Sequence, residues 1–246
     1  MSIAVRTVTA TEMLKWLRTA LSLFRRRWWV WLPMMILSFA PIFAISALHL
    51  DPFVGKATTF LLGALVGIVP VVYGVALWQS RRFRDVLAGN IGALVGVAIA
   101  TTVWNLLVWK LVELPVLGLI ANESELAAYS FDFSKPDLAR PRVWVDAIHT
   151  FIVMFFASPT VIAPAIVLLR KVSVLVALSA SVRAFAVNSL IFATLALVMT
   201  VLHAFVDKPM WLFATQAVLF LFVVAPAYMI LSILMASGMC DAQRDL

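Results

Sequence analysis

Residues 91–114 read IGALVGVAIATTVWNLLVWKLVEL, and their only charges, Lys110 and Glu113, fall at the very end. A bilayer core about 30 Å thick takes roughly 20 apolar residues in a helix rising about 1.5 Å each. This stretch is long enough to cross. It is apolar on every side, whereas a barrel strand would be about 10 residues long and alternate with period two. Without water to satisfy its backbone groups, the segment must be a helix.

Five further windows have the same character: Trp28–Leu50, Ala57–Gln79, Ile148–Leu169, Asn188–Val206 and Trp211–Ser237. Hydrophobic residues make up 64% of the 246-residue chain and charged ones 13%, with mean hydropathy +1.04. Soluble domains are nearer half apolar and a quarter charged. The expected fold is therefore all-α, one integral membrane domain over 1–246 built as a bundle of six transmembrane helices. The first window has the basic flank of a signal peptide in Arg25, Arg26 and Arg27. Its apolar run exceeds the 7–15 residues of a signal h-region, so it reads as an uncleaved signal-anchor.

Six spans put both termini on one side. That side holds 13 basic and 4 acidic residues, net +9, against 6 basic and 8 acidic on the other, net −2. The positive-inside rule makes both termini cytoplasmic. The formal charge of +7 follows membrane junctions rather than one soluble face. It argues for anionic lipid at the cytoplasmic face, not nucleic acid.

Thr11–Arg27 sets Met13, Leu17, Ala20, Leu21 and Phe24 on one helical face and Lys15, Arg18, Ser22 and Arg25 opposite. Thr9 and Glu12 are spaced as a capping box. Residues 1–27 therefore predict a cytoplasmic amphipathic helix, lying on the leaflet or extending the first span. Ser80–Asn90 and Arg170–Asn188 also precede outward-going spans. Each inward-going span carries a proline between apolar neighbours, Pro70, Pro164 and Pro226. A proline in a span removes a helical hydrogen bond and kinks the helix. The chain thus divides into three parallel units of surface segment, outward helix and kinked inward helix. The external loop 120–147, acidic and aromatic, is too small for its own core and suits a cap or a contact with a membrane protein partner.

In the second half PTVIAP (159–164), the pair Arg170-Lys171 and VLVALSASVRAFAVN (174–188) form a recognisable segment. It resembles a group of uncharacterised bacterial multi-pass inner-membrane proteins, the YciC-like and BPSS-type families. The matching positions are Pro164, Ala177, Leu178, Ser179, Ser181, Arg183, Ala184 and Asn188, with Pro226 in the last span. The likeness covers roughly the last 90 residues and departs at the tail, GMCDAQRDL (238–246). It implies fold and location, and no activity.

Few residues could carry chemistry. Lys110 and Glu113, three apart, would share a helix face and could pair. An ionisable group within a span is a functional candidate by default, although these two sit where a lysine can snorkel. His203 and His149 could meet at the outer surface, but two histidines make a poor metal site. A single cysteine, Cys240, excludes an internal disulfide. Gly63/Gly67 and Gly92/Gly96 are small-xxx-small steps suited to close helix packing or a homo-oligomer. There is no Walker loop, H-E-x-x-H or G-x-S-x-G. The expectation is no catalytic residues, cofactor or metal, and a non-enzymatic accessory, envelope or immunity-type role. The alternative is a transporter or permease component for a lipid-like or weakly polar substrate.

Overall fold

The structure is a computed structural model, and it describes residues 3–34, 36, 51–123, 125–126, 142–204 and 225–242. Most of the first expected span and the first half of the sixth lie outside the described residues, as do loop residues 127–141.

The chain begins with strand β1 (Ile3–Val5) and helix α1 (Ala10–Arg26). The Thr9 hydroxyl accepts from the Glu12 amide, and the Glu12 carboxylate accepts from the Thr9 amide. The capping box read from the sequence is present. Residues 28–34 are also helical.

Helix α2 spans Pro52–Trp78, five residues earlier than the expected start at Ala57. The Asp51 carboxylate accepts from the Phe53 and Val54 amides, and Pro52 needs no partner in the first turn. This cap draws Lys56 into the helix. Short α3 (Phe83–Leu87) is followed by α4 (Ile91–Val108), a π-turn (Trp109–Glu113) and α5 (Leu114–Ile120). The span quoted above therefore continues six residues past Leu114. Pro115 has no N–H to donate and would crowd the preceding turn of an α-helix; the widened turn before it accommodates that.

Helices α6 (Val143–Val161) and α7 (Ala163–Arg170) form one long apolar rod interrupted at Ile162. The expected loop is shorter than 120–147, because Ile120 still belongs to α5 and Val143–Ala147 to α6. Next come α8 (Val174–Val187) and α9 (Ser189–Ala204), bent by 84° about Asn188. Helix α10 (Ala225–Met239) and strand β2 (Cys240–Ala242) complete the described fold.

Three helical rods, Phe53–Trp78, Ile91–Ile120 and Val143–Arg170, are long and apolar enough to cross a membrane; the bent α8–α9 pair makes a fourth if it is one span. Their centre is built from α2, α7 and α10, with Val71, Val72, Val75, Ile166, Val167, Leu231 and Met235 buried. Small residues set the approach. Ala177, Ala180 and Ala184 are fully buried where α8 meets α6 and α7. A side chain at Gly74 would collide with Ile233. Of the glycine steps, Gly96 sits against Val174, Gly92 faces open space, and Gly63 and Gly67 line a cavity.

At one end, β1 and β2 pair antiparallel with Val5 opposite Cys240 and Ile3 opposite Ala242. Helix α1 lies along α10, and the Trp16 indole occupies the place a side chain at Gly238 would take.

Candidate functional site

At the loop-bearing end of the bundle, three ionisable side chains converge from three separate helices. Lys56 comes from the second turn of α2, Glu113 from the end of the π-turn and His149 from the second turn of α6. The Lys56 Nζ and the His149 Nε2 lie 3.5 and 3.2 Å from the same Glu113 oxygen, Oε1. Lys56 is 5% exposed and Glu113 1%, while the His149 side chain keeps 20%. The ammonium also stands 5.5 Å from the Phe60 ring centre and 5.6 Å from that of Trp109, so two aromatic faces share its charge. Removing either member of so buried a pair would strand the other charge. The Trp109 indole N–H beside them is buried and has no hydrogen-bond partner among the described residues.

The pair that Lys110 and Glu113 could have made is replaced by contacts of Glu113 with Lys56 and His149. The Leu114 amide reaches back to the Trp109 carbonyl, an i→i+5 bond that puts more residues into the turn. A three-residue step then no longer returns to the same face. Lys110 stays exposed and Glu113 turns inward to Lys56. Lys56 was missed in the sequence because it reads as the flank of a span; the Asp51-Pro52 cap was the signal that the helix begins before it.

Next to this cluster a cavity of about 350 Å³ lies among α2, α4, α6, α7 and α10. Its wall begins at Thr59 and Phe60, within one turn of Lys56, and includes Asn105, Thr160 and Ser232 along with apolar and glycine positions. Pro164 lines its far part and lies in the first turn of α7, two residues past the interruption of the rod at Ile162. Pro70 is buried within an uninterrupted α2. Pro226 falls in α10, with its side chain outside the described residues, as is that of His203.

The strand-bearing end is a knot of hydrogen bonds. The Asn188 side chain accepts from the Val8 amide at 2.8 Å and donates to the carbonyls of Arg6 at 3.1 Å and Ala184 at 3.0 Å. The Arg6 guanidinium donates to the Gly238 carbonyl and to Glu12. These bonds and the Thr9 cap hold the Glu12 carboxyl at about 2, the backbone bond at Thr9 weighing most and Arg6 next. The Arg170 guanidinium donates to the carbonyls of Ser237 and Cys240. Arg183, by contrast, is exposed, and its Nε donates to the Ser179 carbonyl of its own helix at 3.4 Å. Asn188 is thus the joint between α8, α9 and the N-terminal segment. Beside it, an apolar groove of about 720 Å³ runs between α1 and α9, lined by Leu14, Leu17, Leu21, Leu195 and Val198.

A clamp ties the residues just after α5 to the start of α6. Glu125 Oε1 and Oε2 accept from Arg142 Nε and Nη2, both at 2.8 Å, and Oε1 also accepts from the Arg142 amide. Glu125 and Asn122 exchange amide bonds as a capping box, and Arg142 stacks 4.7 Å from the Trp144 ring centre. The Arg142 side chain, followed by the Asn122 and Arg142 amides, holds the Glu125 carboxyl down at about 2. The same bond raises the Arg142 guanidinium further. No family model matches the chain, and neither a curated protein nor a solved structure matches it.

Proposed function

We propose that the chain is a non-enzymatic, six-span protein of the bacterial inner membrane, with both termini cytoplasmic, acting as an accessory, envelope or immunity-type interaction protein through its 121–142 loop. The observation that carries this reading is the Glu125–Arg142 clamp. A bidentate pair, backed by a capping box and an aromatic stack, fixes both ends of a short acidic and aromatic loop against the bundle. Such a fixture lowers the ordering cost of presenting the loop to a partner. The groove beside α1, with Arg18 and Arg25 on that helix, supports a contact with anionic lipid at the cytoplasmic face. Paired strands β1 and β2 support termini on a common side.

The test is to replace residues 127–141 by a Gly-Ser linker of equal length and compare copurifying membrane proteins. A stoichiometric partner that is lost with the loop sustains the reading; an unchanged set of partners removes it. Exchanging Arg25, Arg26 and Arg27 for glutamate should disturb the first hairpin in a protease-protection assay, and an unchanged pattern would transfer orientation to the later charges.

A second reading is favoured by the cavity beside Lys56. Threonine, serine and asparagine groups in an otherwise apolar wall suit a lipid-like or weakly polar substrate, as in a transporter or permease component. Flux into proteoliposomes, abolished by replacing Pro70, Pro164 and Pro226, would establish it.

A further inference from the structure

Neither reading above makes use of the buried cluster at the loop-bearing end. We infer that Lys56, Glu113 and His149 form a proton-binding site, entered through His149, in which an arriving proton changes the principal partner of Glu113 from Lys56 to His149.

The geometry carries this in three steps. First, two nitrogens from different helices converge on one oxygen. Lys56 Nζ stands at 3.5 Å, at the outer limit of a hydrogen bond, and His149 Nε2 is nearer at 3.2 Å. With a neutral imidazole, the ammonium supplies the charge that Glu113 needs. With an imidazolium, the nearer nitrogen supplies it. Second, access is unequal. Glu113 is 1% exposed and Lys56 5%, whereas the His149 side chain retains 20%, so His149 is the member of the cluster open to its surroundings and the one an arriving proton meets first. The step adds one proton to the imidazole ring and breaks no covalent bond. Third, Lys56 has somewhere to go. It sits against the Phe60 ring, and Thr59 and Phe60 begin the wall of the 350 Å³ cavity.

The charged groups around the cluster are few, and most of them are engaged or exposed. Histidine is the side chain whose ordinary titration falls between about pH 5 and 8. Helices α4 and α5, which flank the π-turn, carry no ionisable side chain. On α2 the other charge at this end is Asp51, bound to the Phe53 and Val54 amides. Lys110 on the π-turn is exposed, Asp146 lies one turn before His149, and Glu125 and Arg142 neutralise each other in the clamp. Helix α8 brings Arg183, exposed and bonded to its own backbone, and α9 brings His203. A π-turn at this position fits the assignment, since such turns concentrate at functional sites in helices.

The experiment is histidine-selective carbon-13 NMR on the full chain in lipid nanodiscs, read from pH 4.5 to 8.5. The chain has three histidines, His49, His149 and His203, and His149→Gln identifies the resonance of interest. The inference expects His149 to titrate in that range. Glu113→Gln should lower its midpoint by about 1 unit or more, and Lys56→Met should raise it by a similar amount, as neighbouring charges within about 4–6 Å do. Should Glu113→Gln not accumulate, Lys56→Met and the milder Lys56→Gln still give the sign. A His149 signal that keeps one protonation state across the range overturns the inference, as does a midpoint unmoved by Lys56→Met.

Discussion

Asn188→Ala should loosen the N-terminal segment without unfolding the bundle. Asn188 is 4% exposed and its side chain makes three hydrogen bonds. The Ala184 carbonyl also accepts from the Asn188 amide, so alanine leaves it a partner. The Val8 amide and the Arg6 carbonyl lose theirs. At about 0.5–1.5 kcal/mol net per bond, these two losses come to about 1–3 kcal/mol. That corresponds to a roughly 5- to 150-fold rise in the population with the segment detached. Hydrogen exchange by mass spectrometry, following the peptide that contains Val8 in detergent or nanodiscs, reads this directly. Exchange of that peptide should accelerate by such a factor, while the interior of α2 stays protected. Arg183→Ala is the control, because its bond to Ser179 lies within α8. The reasoning fails if Val8 exchanges within twofold of the parent protein, or if Arg183→Ala accelerates it equally.

Three other substitutions follow from the packing. Glu125 has its carboxyl held at about 2, below the ordinary 4.5, so its clamp contributes fully above about pH 4.5 and is lost as pH falls through 2. Spin labels at Glu123→Cys and Val143→Cys, in a Cys240→Ala background, should hold their separation down to about pH 4 and widen below it; Glu125→Gln should widen it at every pH. Gly238→Ala should push the Trp16 indole off α10 and cost about 1–3 kcal/mol, seen as a lower thermal midpoint in detergent. Trp16→Leu should restore part of that loss, and failure to do so would place the clash elsewhere. Leu195→Arg, in the middle of α9, adds about 3 kcal/mol to insertion, so the variant should accumulate poorly in membranes; normal accumulation would count against α9 as a span.

What the sequence made legible was local. The 91–114 run announced its helix because nothing in it breaks the apolar surface, and Thr9 with Glu12 announced a start because one side chain and one amide suffice. Asn188 was recognisable as a boundary, although the 84° bend was not. The ion cluster was hidden for a physical reason: Lys56, Glu113 and His149 are 57 and 36 residues apart, and a π-turn has no sequence period of its own. Reading α-helical spacing through that turn paired Glu113 with Lys110 instead. The three prolines had similar apolar neighbours, yet Pro70 runs inside a helix and Pro164 begins one, because residues far along the chain decide whether the freed carbonyl finds room. Strands β1 and β2, three residues each, are too short to show alternation.

The antiparallel seam between Val5 and Cys240 imposes an order on biogenesis. At about 5–20 residues per second, Ile3–Val5 emerges tens of seconds before Cys240–Ala242 exists to receive it. Throughout that interval the early strand offers bare amides and carbonyls to any neighbouring edge. In the finished fold Asn188, which is made before β2, bonds the Val8 amide and the Arg6 carbonyl, so the early segment has a second attachment besides the strand pair.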